Sequence, residues 1–147
     1  MAATGTRNDP YASFNFLVEL DGVGTVAGFS ECSGLTTETA IIEYRNGDEP
    51  NTVRKLPGLK KFTNITLKRG YTADKKLWEW RKKVMDGKTQ RQSGAIVLQD
   101  EGRQTALRWT FREGWPSKWE GPTFNAKNND VAIETMEIAV EDIALDG

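Results

Sequence analysis

The sequence predicts a mainly β protein of the α+β class: an antiparallel β-sandwich or barrel of about seven strands with one flanking α-helix. Several segments alternate apolar and polar residues, which is typical of strands with one buried face. Only one segment spaces its apolar residues as an amphipathic helix does. The 147 residues suit a single domain, residues 1–147, that is large enough to bury its own core.

The N-terminal third predicts an arm followed by three strands. Residues 1–12 are small and polar, and we expect an N-terminal arm that becomes ordered on assembly. Residues 25–31 predict a strand that closes a hairpin, and residues 36–45 predict a third strand. The first strand of the hairpin is predicted by an alternating apolar face, formed by Phe14, Phe16, Val18 and Leu20.

Residues 46–61 predict a long inter-strand loop. The pairs Asn46-Gly47 and Pro57-Gly58 are typical of turns, and the charged residues among them follow no period. A loop of this length in a compact domain is usually functional or disordered. Alternation resumes over residues 62–69, which predict the next strand.

Residues 73–86 predict the helix, with Thr72 placed to cap its start and Gly87 to end it. Its apolar stripe contains Leu77, Trp80 and Val84, and basic side chains cover much of the rest. Nucleic-acid binding by these basic side chains is one interpretation. An ordinary solvated face is the more common one, because the tryptophans sit at core spacing.

The C-terminal half predicts a hairpin, a loop and a last strand. Residues 94–101 and 103–112 predict the hairpin, and residues 114–130 predict a loop rich in Trp, Pro, Gly and Asn. The last strand is predicted over residues 131–145. It needs a change of phase, such as a β-bulge, to bring Ile133 and Ile143 onto the face of Met136, Ile138 and Val140.

The composition argues against catalysis. There is no histidine, so Ser–His and Cys–His pairs and the commonest zinc ligand are excluded. The one cysteine, Cys32, has no partner for an internal disulfide. Because the common metal, phosphate and catalytic motifs are also missing, we expect no enzyme, metal or cofactor. Neither a membrane-spanning apolar run nor a signal peptide is visible, so we expect cytoplasmic synthesis.

The net charge of −1 is unevenly distributed along the chain. Residues 1–44 carry one basic and six acidic groups, residues 68–91 nine basic and three acidic, and residues 128–147 six acidic and no basic. One interpretation is a molecule with opposite faces that bind copies of itself head to tail. The other is a solvated surface with incidental clusters, and both stay open.

Two further features concern interfaces. Trp115 and Trp119 lie in the predicted 114–130 loop, where they either fold back over the core or anchor a contact. The sheet edges expected of an antiparallel sandwich invite pairing with another chain. Pairing between identical copies gives a ring if the rotation closes.

A series of motifs spans nearly the whole chain. The motifs are Asp9-Pro10-Tyr11 with Phe14-Asn15-Phe16, residues 28–35, Glu43-Tyr44-Arg45, residues 55–58, residues 64–70, residues 115–119 and residues 129–137. In this order the series resembles the tail tube family of contractile phages and extracellular contractile injection systems, also called conserved phage tail region proteins.

The resemblance implies hexameric rings whose inner sheets join into one barrel, and rings that stack into a hollow tube inside a contractile sheath. The implied partners are further copies of the chain, the sheath protein, baseplate, spike and terminal cap proteins, and effector proteins as cargo in the lumen. The particle would be cytoplasmic, membrane-docked or released. A DNA-conducting phage tail tube is the alternative, and a secreted ring protein of a type VI-like system is another.

The resemblance also implies that the predicted loop 46–61 mediates ring stacking. We therefore predict contacts between subunits or rings at Asn46, Gly47, Asp48, Glu49, Arg54, Lys55, Pro57, Gly58, Lys60, Lys61, Trp115 and Trp119.

Overall fold

The computed structural model describes residues 15–22, 24–26, 28–48, 51–71, 73–127 and 131–146. Ten strands and one helix lie in these ranges, and the mainly β, antiparallel class is confirmed. In chain order they are β1 (Phe16–Leu20), β2 (Gly24–Val26), β3 (Phe29–Ser33), β4 (Thr37–Tyr44), β5 (Arg54–Phe62), β6 (Ile65–Gly70), α1 (Lys76–Met85), β7 (Gln92–Gln99), β8 (Thr105–Glu120), β9 (Ile133–Ala139) and β10 (Asp142–Asp146).

Two antiparallel sheets share the long strand β8. Sheet A has the order β2-β1-β7-β8-β10 and uses the first half of β8. Sheet B has the order β3-β6-β9-β8 and uses residues 115–120, the second half. The two halves meet at Glu113, whose φ of 56° places it in the left-handed region. The bend lets one strand serve both layers of a sandwich.

The core lies between the two sheets and is closed by the helix. Alternation along the strands determines which side chains enter this core: every second side chain of β6 and β9 is buried, and the others are partly or fully exposed. Sheet A contributes Val18, Leu20, Ile96, Phe111 and Ile143; sheet B contributes Ile65, Leu67, Met136 and Ile138; helix α1 contributes Leu77 and Trp80.

Helix α1 is shorter at its start than predicted. Asp74 lies one residue before the N-cap position, Lys75, and its carboxylate accepts a hydrogen bond from the Lys76 N–H at 3.0 Å, which satisfies one of the free N–H groups of the first turn. The predicted cap, Thr72, lies outside the described residues. The predicted end is confirmed: Gly87 has a φ of 79°, and its N–H bonds back to the Val84 carbonyl.

The predicted loop over 46–61 is wrong for its second half. Residues 54–61 belong to β5, which pairs with β4 from Thr37 opposite Phe62 to Tyr44 opposite Arg54. Pro57-Gly58 suggested a loop, but β5 is an edge strand and these residues lie at a register shift in the ladder. A proline that donates no hydrogen bond is tolerated at an edge and at a bulge.

Three other boundaries differ from the prediction. Residues 114–120 continue β8 instead of starting a loop, because the bend lets them pair with β9. The predicted strand 131–145 splits into β9 and β10 at the same bend, which supplies the expected change of phase for Ile143 and buries it. The expectation was wrong for Ile133, which is 42% exposed because it alternates out of phase with the buried residues of β9. The predicted strand 25–31 splits into β2 and β3, which join different sheets. The predicted arm, residues 1–12, lies outside the described residues.

Candidate assembly surfaces

The pairs β3–β6 and β4–β5 together form one long two-stranded ribbon. Strand β4 continues β3, and β5 leads into β6, so the hairpin β4–β5 extends the edge of sheet B. Gly34 sits at the junction with a φ of 93°, and a Cβ there would clash with the Asn64 carbonyl oxygen. The Thr63 hydroxyl donates to the Gly34 carbonyl at 2.6 Å. This close approach fits only glycine and positions the hairpin on the sandwich.

The hairpin β4–β5 carries its apolar side chains in solvent. Every residue of β4 is exposed, and among the apolar ones Ile41 is 64% and Leu59 80% exposed. Ile42, Tyr44 and Leu56 are about half exposed. A two-stranded hairpin without further cover is marginally stable in water, and exposed apolar patches mark interaction sites. The hairpin is therefore the clearest candidate for a surface that another molecule covers.

Most residues of the predicted contact set lie on this hairpin. Strand β5 holds Arg54, Lys55, Pro57, Gly58, Lys60 and Lys61. Asn46, Gly47 and Asp48 follow β4 and are exposed, with Asn46 accepting a hydrogen bond from the Tyr44 hydroxyl; Glu49 lies outside the described residues. Their contacts with other subunits stay a prediction.

Three lysines of β5, Lys55, Lys60 and Lys61, are available for an external partner. Lys55 lies opposite Glu43 and Lys61 opposite Glu38 in the β4–β5 ladder. Even so, within the described ranges no salt bridge involves Lys55, Lys60 or Lys61. Strand β5 contains no acidic residue, so it presents a row of positive charge.

Both sheets have open edges. In the part of the chain that the structure describes, no strand pairs with the outer side of β3, of β10 or of residues 115–120. Helix α1 lies near the last of these edges, where the Arg81 guanidinium donates to the Pro116 carbonyl at 3.1 Å. Unpaired strand edges are templates for pairing with another chain, and here they occur at both borders of sheet B.

The face of sheet B that points away from the core is polar. Lys68 forms an ion pair with Glu31 at 3.3 Å, and Lys118 forms ion pairs with Glu120 at 2.8 Å and Glu137 at 3.7 Å. The hydrogen bond from Lys118 holds the pKa of the Glu120 carboxyl below its usual value. Paired charges of both signs on one broad sheet face make a hydrophilic surface with little net attraction for either sign.

Comparison with known proteins decides the family. The model of the T4-like virus tail tube protein gp19 family matches residues 12–144, which is most of the chain. The chain belongs to this tail tube family. No curated protein sequence matches it.

The following three are among the solved structures that resemble this tail tube protein. The tube terminating cap of the anti-feeding prophage is 25% identical, covers 99% of both chains and has a TM-score of 0.88. The sheath/tube terminator of the extracellular contractile injection system PVC is 25% identical over 95% of this chain and 99% of that one, with a TM-score of 0.85. Hcp1 from Flavobacterium johnsoniae shares the fold, at 16% identity, 90% and 94% coverage and a TM-score of 0.54.

The two tryptophans predicted as anchors lie on β8 of the tail tube protein. The Trp119 ring packs 4.9 Å from the Trp78 ring and 6.3 Å from the Tyr71 ring, measured between centroids. Trp115 is partly buried opposite Ala139. Trp119 thus folds back on its own chain, which was one of the two interpretations, and a subunit contact at either ring stays a prediction.

A buried ion pair that the sequence pattern did not reveal holds Trp119 in place. Arg69 and Glu134 are each 3% exposed and form a hydrogen-bonded ion pair. The other Glu134 oxygen accepts from Trp119 Nε1 at 3.1 Å, and the Arg69 guanidinium reaches Asp74 at 3.3 Å. One signal was available: Arg69 and Glu134 fall on the apolar side of the alternation in β6 and β9.

Chemistry beyond assembly finds little support in the described residues. They contain no group of three or more His, Cys, Asp or Glu that would hold a metal ion, and none of their helices has the length and apolarity to span a membrane. Burial, reinforced by the charge of Glu31, raises the pKa of the Cys32 thiol to about 11. The thiol is therefore protonated and a poor nucleophile at neutral pH.

Proposed function

We propose that this tail tube protein is the structural subunit of the inner tube of a contractile injection system. Copies form hexameric rings, and the rings stack into a hollow tube that is driven through a target membrane and delivers effector cargo. One observation carries the proposal. Among the described residues, both border strands of sheet B have an unpaired outer edge, and these two strands run in opposite directions.

Strand direction explains why sheet B suits a ring. It contains four strands and every pair is antiparallel, so its border strands, β3 and residues 115–120 of β8, are antiparallel to each other. Copies related by rotation about an axis along the strands therefore place one border beside the other in antiparallel order. Sheet A has five strands with borders that run the same way, so the same operation would give a parallel junction.

The dimensions of such a ring suit a conduit. Six copies of sheet B give a closed barrel of roughly 24 strands, spaced about 4.8 Å apart and tilted by about 40°. The resulting backbone diameter is about 48 Å. After the inward side chains are subtracted, an opening of roughly 35–40 Å remains, which is wide enough for a small folded protein or for duplex DNA.

The polar face of sheet B would line this opening. Its charged side chains include two lysines and three glutamates: Lys68, Lys118, Glu31, Glu120 and Glu137. The two lysines are already paired with these carboxylates. A wall whose cations are paired would not hold a moving cargo by strong local attraction, which suits passage rather than binding.

The hairpin β4–β5 would join ring to ring, as its exposed apolar residues and unpaired lysines suggest. The tube would be assembled in the cytoplasm within a contractile sheath. Baseplate, spike and cap proteins would close its ends. The similarity to the anti-feeding prophage tube terminating cap and the PVC sheath/tube terminator supports the sheath and the cap among these partners. No catalytic step is assigned to the chain.

The alternative is the DNA-conducting tail tube of a contractile-tailed phage, which the T4-like virus family favours. The proposed lumen face fits either cargo, since its small net negative charge would repel DNA only weakly and would not bind a passing protein. The neighbouring genes distinguish the two: capsid and terminase genes indicate a phage, and effector genes an injection system.

Negative-stain microscopy of the purified chain tests the assembly, with a gold label to locate the lumen. In a Cys32→Ser background, Thr135→Cys places a thiol on the polar face of sheet B, and Lys88→Cys places one after helix α1. Maleimide-linked gold of about 14 Å diameter would fit the expected opening.

We expect hollow rings or tubes, with gold on the axis for Thr135→Cys and off the axis for Lys88→Cys. Compact monomers at all concentrations would contradict the proposed function. Tubes with off-axis gold for Thr135→Cys would keep the tube but reject sheet B as its lining.

A further inference from the structure

The free edge of β10 is an acidic strand with an exposed apolar residue. Strand β10 pairs with β8 on one side only, and its outer side has no strand partner within the described ranges. Asp142 and Asp146 lie on it and Glu141 precedes it, with no basic residue among residues 141–146. Leu145 is 62% exposed. Asp142 is partly engaged, by a salt bridge of 3.3 Å to Arg112.

Strand β5 has complementary properties. It is an edge strand, it carries Arg54 and the three unpaired lysines at 55, 60 and 61, and it has no acidic residue. Leu59 is 80% exposed on the same strand. An acidic edge and a basic edge, each with an exposed leucine, therefore occur on one chain.

The topology explains why these edges do not meet within one copy. The last rung between β6 and β9 joins Ile65 to Ile138. Beyond this rung the chain continues into β5 on one side and β10 on the other. A straight ribbon would lay β5 along β10, but no ladder joins them, because β10 turns away with β8 and the hairpin leaves the sandwich. In each copy the outer edge of β10 therefore stays unpaired, although β5 of the same copy would lie beside it if the ribbon were straight.

We propose that β5 of one copy adds as an extra strand to the free edge of β10 in a second copy. The contact rests on the proposed function, since it is one of the junctions by which copies assemble. Backbone hydrogen bonds join the strands, Leu59 and Leu145 lose solvent, and the β5 lysines face the β10 carboxylates. Filling a neighbour's edge with an element that leaves its own copy is a common route to symmetric assembly.

A charge exchange tests this contact. Lys60→Glu with Lys61→Glu reverses the charge at two of the four cationic positions of β5, and Glu141→Lys with Asp146→Lys reverses it at two of the three acidic positions in residues 141–146, without touching the Asp142–Arg112 pair. As a control, Glu79→Lys with Glu101→Lys makes the same charge change as the Glu141→Lys/Asp146→Lys pair, at exposed sites on α1 and in the turn before β8. The critical concentration for ring or tube formation is measured by sedimentation and microscopy.

We expect each double variant to raise the critical concentration at least about 10-fold at low salt. In the variant that combines all four substitutions, the critical concentration should return toward the wild-type value. The control pair should leave it within about 2-fold. Loss of stacking with intact rings would agree with the proposed ring-to-ring role of the hairpin, whereas loss of rings would place the contact within a ring and contradict that role. The proposal is overturned if the double variants assemble like wild type. It is also overturned if combining all four substitutions does not restore assembly.

Carbodiimide cross-linking supplies a second test that does not depend on variants. Tubes assembled from an equal mixture of ¹⁵N-labelled and unlabelled protein are cross-linked and digested. Mixed-isotope links between a β5 lysine and Asp142 or Asp146 are expected, and links from β5 to other carboxylates alone would overturn the contact. If wild-type protein forms no rings or tubes, the proposed function itself fails. If tubes form without these effects, only the contact fails.

Discussion

Replacing Glu134 by Gln removes one charge from the most buried ion pair of the described residues and tests how strongly it stabilises the fold. The Glu134 carboxylate accepts from Arg69 through one oxygen and from Trp119 Nε1 through the other. A glutamine amide has only one acceptor oxygen, so one of these donors would face an NH2 group. Leaving a buried donor unpaired costs about 1–3 kcal/mol, and breaking a buried ion pair costs about 3–5 kcal/mol.

The expected loss lies near the lower end of that range. Asp74 remains 3.3 Å from the Arg69 guanidinium and keeps part of its charge compensated. We therefore expect the free energy of unfolding to fall by about 3 kcal/mol, which lowers the melting temperature by roughly 10 °C for a chain of this size. Urea unfolding at concentrations below assembly, followed by tryptophan fluorescence and circular dichroism, measures this loss.

Glu137→Gln is the matched control, because Glu137 lies on the same strand but on the polar face, 3.7 Å from Lys118. Removing this partly exposed charge should cost less than about 1 kcal/mol. The reasoning fails if Glu134→Gln costs less than about 1 kcal/mol, or no more than Glu137→Gln.

Three further predictions follow from the junction, the hairpin and the thiol. Gly34→Ala should lower the free energy of unfolding by at least about 2 kcal/mol, against little change for Gly47→Ala, because only the former has a positive φ and a backbone clash; urea unfolding measures both. Leu59→Ser should change the monomer's free energy of unfolding by less than about 0.5 kcal/mol, because Leu59 is exposed. It should raise the critical concentration for assembly about 10-fold or more, since burying a leucine is worth about 1.5–3 kcal/mol. Equal assembly of the two proteins in sedimentation would contradict this. Iodoacetamide should alkylate Cys32 about 100-fold more slowly in the folded chain than in urea at pH 8. The alkylation rate of the folded chain should rise about 10-fold per pH unit up to pH 10. A flat pH profile would show that access to the thiol, not its ionisation, limits the reaction.

The pH dependence of stability has a predicted sign at the start of helix α1. A hydrogen bond from the Lys76 N–H, followed by one from Arg69, lowers the pKa of the Asp74 carboxyl in the folded chain. A lowered pKa contributes stability that is complete above the unfolded value and is lost as the pH falls through the folded value. Between about pH 5 and pH 3 wild type should therefore lose stability more steeply than Asp74→Asn, and parallel curves would contradict the assignment.

The strands that were predicted well are those in which apolar and polar residues alternate because one face of the strand is buried. In β6 and β9 every second residue is buried, so Ile65, Leu67, Met136 and Ile138 were visible as a core from period alone. The helix was visible for the same reason, since Leu77 and Trp80 share one stripe. In each case a local pattern is sufficient because one face of the element meets the core.

The segments that were missed depend on distant partners. Residues 114–120 read as a loop because Gly114 and Pro116 break strands locally, yet pairing with β9 keeps them extended. Residues 54–61 bury almost nothing in a single copy, so they give no alternation to detect. The Arg69–Glu134 pair joins residues 65 positions apart, and only the register of β6 and β9 brings them together.

The segment most difficult to predict is thus also the one least stabilised by its own chain. A hairpin with nine-residue and eight-residue strands gains its backbone hydrogen bonds but little burial, as the exposure of Ile41 and Leu59 illustrates. Conformational entropy opposes its order at every residue, and burial is the main term that offsets it. If copies assemble as proposed, the neighbour supplies that burial. The absence of an alternating pattern in β5 is then a physical property of the monomer and not a failure to read the sequence, since the residues that complete its environment belong to another copy.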